Sequence, residues 1–128
     1  MAQPLPARSG EPLTRQVIGA FFEVYNVLGH GFLEAVYCRA LELELRGRGH
    51  GVEREVPIEA RYKGVVVGAF RCDLLVEDVL LLEVKATARP HPADRAQLHN
   101  YLRASAFADG VLLHFGEQPS FWCLKAPS

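Results

Sequence analysis

A chain of 128 residues is long enough to bury a hydrophobic core, and its formal net charge of −1 excludes a protein that is basic throughout. Hydrophobic residues make up 49% and charged residues 23%, the composition of a globular chain rather than a disordered one. Three cysteines without CxxC spacing argue against a disulfide framework or a zinc site. Because no apolar run approaches the roughly 20 residues of a membrane span and no signal-peptide core follows Met1, we expect a cytoplasmic protein that does not bind membranes.

The first half of the chain is predicted to be helical after a flexible tail. Residues 1–12 contain prolines and no periodicity, so a tail is expected there, followed by one domain over residues 13–128. Apolar residues at helical spacing predict a first helix over about residues 14–28, which Gly29, His30 and Gly31 interrupt. A second helix is predicted over residues 32–48, where nearby glycines allow the chain to leave the helix.

The second half is predicted to consist of strands around one more helix. Strands are expected over residues 52–62, with Pro57 at a sheet edge or bulge, and then from Val65 into the segment 70–86. After the loop ARPHP, a helix is predicted over residues 93–107 and short strands over residues 110–115 and 121–124. This order of elements predicts a mixed α/β fold.

The segment 70–86, FRCDLLVEDVLLLEVKA, is predicted to form two strands joined by a tight turn. Because side chains alternate along a strand, Glu83 and Lys85 must point the same way. A two-residue loop would put Asp73 and Glu83 on opposite faces. A three-residue loop over 77–79 sets them opposite each other and leaves one wholly apolar face, made by Cys72, Leu74, Val76, Leu80, Leu82 and Val84. Since the buried face fixes the register, we favour the three-residue loop.

This register gathers two carboxylates and one ammonium group on an otherwise apolar strand pair. Burying charge is costly unless the charges pair or hold a metal. On their own, Asp73, Glu83 and Lys85 fit a structural ion pair on a solvated sheet face as well as they fit a chemical site. The motifs elsewhere in the chain favour the chemical site.

Two helices could add side chains to this cluster. Glu34 begins the second helix, where the helix dipole alone could account for a carboxylate, and Tyr37 on the same face is a candidate core aromatic. Gln97 and Tyr101 form an i,i+4 pair on the helix after the ExK strand, and a short loop would bring them near Lys85. The alternative is a surface glutamine and a core tyrosine.

Basic residues cluster in the same region. Arg95, His99 and Arg103 lie at successive i,i+4 positions, and Arg89 and His91 precede them in the loop. A solvated helix face is the ordinary interpretation of such a stripe. If the acidic cluster acts on nucleic acid, the stripe is where a phosphate backbone would be contacted.

Taken together, these residues resemble the GxxExxY proteins, a group within the PD-(D/E)xK nuclease superfamily. The family motif is matched by GFLEAVY at residues 31–37, and the resemblance continues through VEREVPIEARYKG, the strand ending in Asp73, LLEVKA and AQLHNYL. The Gln97-xxx-Tyr101 pair is also similar to the helix motif of RecB-type exonuclease domains, whereas Cys72 replaces the proline that often precedes the aspartate. The resemblance implies a restriction-endonuclease-like fold, in which helices flank a small mixed sheet with a central antiparallel strand pair.

The resemblance also implies a metal site. Asp73 and Glu83 would ligate a divalent cation, Mg²⁺ or Mn²⁺ in its place, because hard oxygen ligands suit these ions. The backbone carbonyl of Val84 would be a further ligand, and Glu34 would complete the acidic cluster directly or through water.

The same resemblance assigns roles to three more residues. Lys85 would orient the attacking water or stabilise charge that builds on the phosphate. Gln97 and Tyr101 would position the substrate or the lysine. With the metal supplying Lewis-acid stabilisation, no protein nucleophile is required.

The leading hypothesis is therefore a metal-dependent nuclease with nucleic acid as its partner, DNA being favoured over RNA. Its nucleic-acid contacts would come from Arg89, Arg95, His99 and Arg103. The alternative is a catalytically silent module of the same fold that binds nucleic acid or a protein partner. A homodimer is a further expectation, by analogy with the small resolvases of the superfamily.

Overall fold

Residues 13–127, which the computed structural model describes, fold as helices on both faces of one sheet. In chain order the elements are α1 (Leu13–Leu28), α2 (Glu34–Gly47), β1 (Val52–Tyr62), β2 (Val65–Val76), β3 (Leu80–Lys85), α3 (Pro92–Ala104), β4 (Asp109–Phe115) and β5 (Pro119–Lys125). The tail predicted over residues 1–12 lies outside the described residues.

The sheet has the strand order β1-β2-β3-β4-β5, with β3 at its centre. Neighbouring strands are antiparallel except for β3 and β4, which are parallel and are joined by α3 as the crossover. The predicted mixed α/β fold with a central antiparallel pair, β2 and β3, is confirmed. Pro57 lies on β1, as predicted for a sheet edge. Proline is tolerated in an edge strand because one side of that strand has no neighbouring strand to bond.

The core is divided by the sheet into two hydrophobic clusters. On one face α1 and α2 pack against the strands, burying side chains that include Phe21, Tyr37, Leu74, Leu82 and Phe115. On the other face α3 packs against them, burying side chains that include Ile58, Cys72, Leu81, Leu98 and Leu102. The central strand β3 is covered on both faces, which accounts for its nearly continuous apolar sequence.

The antiparallel pair of β1 and β2, here called the ribbon, changes at one point which of its residues face each side of the sheet. The predicted apolar face was therefore wrong at one residue. Cys72 was expected on the face of Leu74, but it packs with Leu81 on the α3 side. The reason lies on β1, where Glu55 adopts a left-handed backbone conformation with φ 51° and the paired positions continue from Arg54 to Val56 without it. This irregularity resets the alternation of faces immediately beside Asp73.

Two helices are shorter than predicted. The second begins at Glu34 rather than at residue 32, because Gly31 has φ 120° and Leu33 is extended. The third ends at Ala104 rather than near residue 107, because Ser105 is extended and its hydroxyl accepts the N–H of Phe107 at 3.3 Å. None of the helices within residues 13–127 is both long and apolar enough to cross a membrane.

Candidate active site

The candidate site lies where β2 and β3 stop pairing through their backbones. The predicted three-residue loop is confirmed, since Val76 pairs with Leu80 and Leu74 with Leu82. At Asp73, on the side of Leu74 away from the loop, the hydrogen bonds between the two strands are instead made by side chains. The Asp73 N–H donates to Glu83 Oε1 at 3.2 Å, and the Val84 N–H donates to Asp73 Oδ2 at 2.7 Å. Each carboxylate is thus held by a peptide group of the opposite strand.

These two carboxylates carry more negative charge than their surroundings balance. Glu83 is 4% exposed, and burial together with the neighbouring charge of Asp73 raises its pKa to about 8. Burial also raises the pKa of Asp73, although the hydrogen bond from Val84 opposes that rise. Lys85 Nζ lies 3.6 Å from Glu83 Oε2, on the same side of β3 as predicted. When both carboxylates are ionised, one ammonium group does not balance their charge, and the site then favours an added cation.

Glu34 reaches the edge of this site from α2. The loop before it is shaped by Gly29 and Gly31, whose φ values of 69° and 120° suit glycine. Partial burial and the charge of Asp73 raise the pKa of Glu34, while Lys85 opposes the rise. The structure therefore brings Glu34 within electrostatic range of the strand residues, and the side chain itself stays exposed.

Tyr37 holds that loop in place. Its buried hydroxyl donates to the Gly29 carbonyl at 2.5 Å and accepts the Phe32 N–H at 3.2 Å. Its ring stacks on Phe115 with centroids 4.3 Å apart. Tyr37 is therefore the core aromatic that its spacing predicted, and it positions the segment that presents Glu34.

Replacing Tyr37 with phenylalanine is expected to lower the free energy of unfolding by about 1–2 kcal/mol, because two backbone groups lose their partner. Urea unfolding measures the loss. The matched control is Tyr62→Phe, since Tyr62 is 63% exposed and should change stability by less than about 0.5 kcal/mol. Equal stability of the two variants would show that the hydroxyl of Tyr37 does not hold the loop.

Two residues at the site had not been predicted there. Cys38 lies one turn after Glu34 on α2, and burial with the charges of Asp73 and Glu34 raises its pKa to about 12. Asp94 on α3 also contributes to raising the pKa of Glu34. The i,i+4 spacing of Glu34 and Cys38 could have indicated the first, whereas nothing near Asp94 in the sequence indicates the second.

Gln97 and Tyr101 both face the sheet from α3. Burial raises the pKa of Tyr101 to about 12, with the charges of Glu83, Cys72 and Asp73 adding to the rise, so its phenol lies near the acidic pair. Gln97 and Tyr101 line the same cavity, between α3 and the ribbon of β1 and β2. The Gln97 side-chain oxygen is buried and has no hydrogen-bond partner within residues 13–127.

The predicted basic stripe is divided between two sides of α3. Arg95 stacks over the Trp122 ring of β5 at 4.9 Å, whereas Arg103 lines the cavity with Gln97 and Tyr101. His99 is half-buried. The stripe therefore does not form one surface toward the acidic pair.

The loop before α3 holds the other two basic residues. Arg89 is exposed and lies 3.9 Å from Glu117. His91 caps α3, since its Nδ1 accepts the Ala93 N–H at 3.0 Å.

The donor set at the acidic pair fits a hard divalent cation. Asp73 and Glu83 supply carboxylates side by side, and the carbonyl of Val84 belongs to the residue between Glu83 and Lys85. Over residues 13–127, no three His, Cys, Asp or Glu side chains converge as a ready-made metal site. Two carboxylates with one peptide carbonyl suit Mg²⁺ nonetheless, because this ion keeps several of its waters.

Known proteins that resemble this chain share its superfamily and its fold. The sequence model of the PD-(D/E)XK nuclease superfamily matches residues 11–122. The crystal structure of SSO0001 superposes with a TM-score of 0.54 at 16% identity, covering 91% of this chain and 79% of that one. An alkaline exonuclease from Laribacter hongkongensis (LHK-Exo) gives a TM-score of 0.48 at 16% identity, covering 93% and 73%. Identities this low show the fold alone, and no curated protein matches the chain.

Proposed function

The chain belongs to the PD-(D/E)XK nuclease superfamily, and we propose that it is a divalent-metal-dependent nuclease that hydrolyses phosphodiester bonds, with DNA as the favoured substrate. The observation that carries the proposal is the pairing of the half-buried Asp73 with the buried Glu83, with Lys85 beside Glu83. We further propose membership of the GxxExxY group, which rests on GFLEAVY at residues 31–37. The free thiols of all three cysteines support a reducing, cytoplasmic location as part of the same proposal.

Asp73, Glu83 and the carbonyl of Val84 would hold the cation, Mg²⁺ or Mn²⁺. When bound, the ion would stabilise charge on the phosphate as a Lewis acid and make an attacking water more acidic. Glu34 would act from α2 through water, because its side chain is exposed whereas Asp73 is half-buried and Glu83 is buried. This division of roles follows from the elements that carry the carboxylates, since Glu34 lies on α2 and the other two lie on the central strands.

Lys85 would supply positive charge where the phosphate becomes more negative during water attack. Its side chain is largely buried and is held 3.6 Å from Glu83, so its ammonium group is preorganised rather than freely rotating in solvent. Tyr101 and Gln97 would position the nucleotide beside it from α3. Hydrolysis then requires no serine or cysteine nucleophile, and the buried Cys38 and Cys72, whose pKa values are raised by burial, are poor nucleophiles.

The raised pKa of Glu83 gives the proposal a pH signature. Because this pKa rises from 4.5 to about 8, the metal-free protein holds a proton there that a cation must displace. We expect Mg²⁺ affinity to increase with pH by up to about tenfold per unit below this pKa and to level off above it. The same proton is bound by the folded state and not by the unfolded one, so metal-free stability should fall as pH rises through this range.

Calorimetric titration in two buffers with different ionisation enthalpies measures that proton release. A dependence of the observed heat on the buffer is the expected result near neutral pH. An Mg²⁺ affinity that stays constant from acid to mildly alkaline pH would contradict a protonated Glu83 as ligand.

The nuclease proposal is tested by incubating the protein with supercoiled, linear duplex and single-stranded DNA and with RNA, in Mg²⁺ or Mn²⁺ and in EDTA. Cleavage that needs the metal is expected, with DNA cut in preference to RNA. Binding to these substrates with no cleavage in either metal would favour the catalytically silent module instead. Sedimentation of the same preparation tests the proposed homodimer.

A further inference from the structure

A cavity of about 580 Å³ lies beside the acidic pair and is not part of it. It opens between α3 and the outer part of the ribbon of β1 and β2, and its volume is that of a small-molecule site. Its walls are largely apolar, with Ile58, Ala60 and Phe70 on the ribbon and Ala93, Ala96 and Ala104 on the helix. The polar groups within it are therefore few and specific.

Phe70 offers a flat apolar surface to this cavity. Its side chain is 47% exposed, and its ring centroid lies 5.8 Å from that of Tyr101. Gly68 leaves room for the ring, because a Cβ there would come within 3.0 Å of it. One face of the ring is thus supported by the protein while part of the ring remains accessible. An exposed, supported aromatic ring is what an unpaired nucleobase stacks on.

Gln97 supplies a hydrogen-bond acceptor inside the same cavity. Its side-chain oxygen is buried without a partner within residues 13–127, and a buried polar atom of this kind is costly unless a ligand satisfies it. An N–H group on the Watson–Crick edge of an unpaired base would do so, either the amino group of adenine or cytosine or the ring N–H of guanine, thymine or uracil.

Two arginines, Arg61 and Arg103, place positive charge at the end of the cavity that continues along β1. Arg61 and Arg103 line both this cavity and a second one of about 580 Å³, which extends toward residues 105–107. Arg61 donates to Glu59 at 2.7 Å, and a guanidinium has further donors that remain for a phosphate. A strand running through both cavities would pass both guanidinium groups.

Tyr101 connects this cavity with the acidic pair. It lines the cavity and packs in the same buried cluster as Cys72, the residue before Asp73. A nucleotide in the cavity would therefore neighbour the phosphodiester that Asp73, Glu83 and Lys85 are proposed to cleave.

We infer that this cavity binds one unpaired nucleobase of a single-stranded substrate, stacked on Phe70 and hydrogen-bonded to Gln97, with the adjoining phosphates at Arg61 and Arg103. The inference rests on the proposed nuclease function and names its substrate class. The chain is therefore selective for single strands, or for duplex ends and bulges that release a base.

The test measures the binding of short labelled oligonucleotides in EDTA, so that affinity is read without cleavage. Wild type is expected to bind a single strand more tightly than a duplex of the same sequence. Phe70→Ala should weaken single-strand binding by at least about fivefold, since stacking on an aromatic ring contributes that much. Ala96→Phe, on the exposed face of α3, should weaken it by filling the cavity.

The matched control is Phe121→Ala, which removes a 38% exposed aromatic on β5 that packs against Phe22 of α1. It should bind as wild type does, whereas Gln97→Leu should weaken single-strand binding because the acceptor for the base is lost. Unchanged affinity of Phe70→Ala and Ala96→Phe would overturn the cavity site and leave the nuclease proposal intact. An altered sedimentation coefficient of Phe70→Ala would overturn it in favour of an interface between copies. Absence of all binding, together with no metal-dependent cleavage, would overturn both.

Discussion

Replacing Lys85 with alanine is expected to slow phosphodiester cleavage by at least about 100-fold while leaving Mg²⁺ binding in place. The lysine is not a metal ligand in this account, since its ammonium group serves the developing charge on the phosphate. Its removal also takes away the ammonium group that lies 3.6 Å from Glu83, so the site becomes more negative. Mg²⁺ should therefore bind at least as tightly as to wild type, and single-turnover cleavage beside calorimetric titration measures both effects.

Lys125→Ala is the control for that change. Lys125 also pairs with a carboxylate, that of Asp109 at 3.0 Å, but it is exposed on β5 and away from the acidic pair. Cleavage by this variant should match wild type. If Lys85→Ala cleaved at the wild-type rate, the lysine would be a structural ion-pair partner and the proposed mechanism would lose its preorganised cation.

Asp73→Asn is expected to move stability and function in opposite directions. An asparagine can still accept the Val84 N–H that Asp73 accepts at 2.7 Å, and above about pH 8, where Glu83 is ionised as well, it removes one of two neighbouring negative charges. In that pH range the metal-free variant should therefore unfold at a higher temperature than metal-free wild type. It should also lose both Mg²⁺ binding and cleavage, because an amide is a weaker ligand than a carboxylate for this ion.

Thermal unfolding with and without Mg²⁺ measures both halves of this prediction. Saturation at about 100 times the dissociation constant stabilises wild type by about 2.7 kcal/mol, or on the order of 10 °C, and should leave Asp73→Asn unmoved. Asp109→Asn, a carboxylate change at the start of β4, should keep the full response. A variant at Asp73 that is less stable without metal would indicate that its charge serves the fold rather than a cation.

The elements of the fold could be predicted because local chemistry marks their ends. The strand expected over residues 52–62 has those bounds, since glycines precede it and Lys63 and Gly64 turn the chain after it. The loop over residues 77–79 was predicted from the parity of the apolar face. The strand register matches this prediction. It does so although the first two loop residues, Glu77 and Asp78, are not glycines and have positive φ values.

The details that could not be predicted depend on contacts between distant elements. The predicted face of Cys72 was wrong, because the left-handed residue Glu55 on the neighbouring strand interrupts the alternation of side chains between the two faces. The stacking of Arg95 on Trp122 was not predicted, because Trp122 lies 27 positions later in the chain on another element. The cavity beside Phe70 was not predicted either, because it forms only when α3 packs across the sheet. No periodicity within one segment encodes such pairings.

The proposed chemistry requires a cation held by Asp73, Glu83 and the carbonyl of Val84. Anomalous diffraction from crystals soaked in Mn²⁺ tests this site directly, because the signal locates the ion itself. We expect an anomalous peak bonded to both carboxylates and to that carbonyl, and no peak at this position in Asp73→Asn. A peak elsewhere, or none at a Mn²⁺ concentration that supports cleavage, would contradict it.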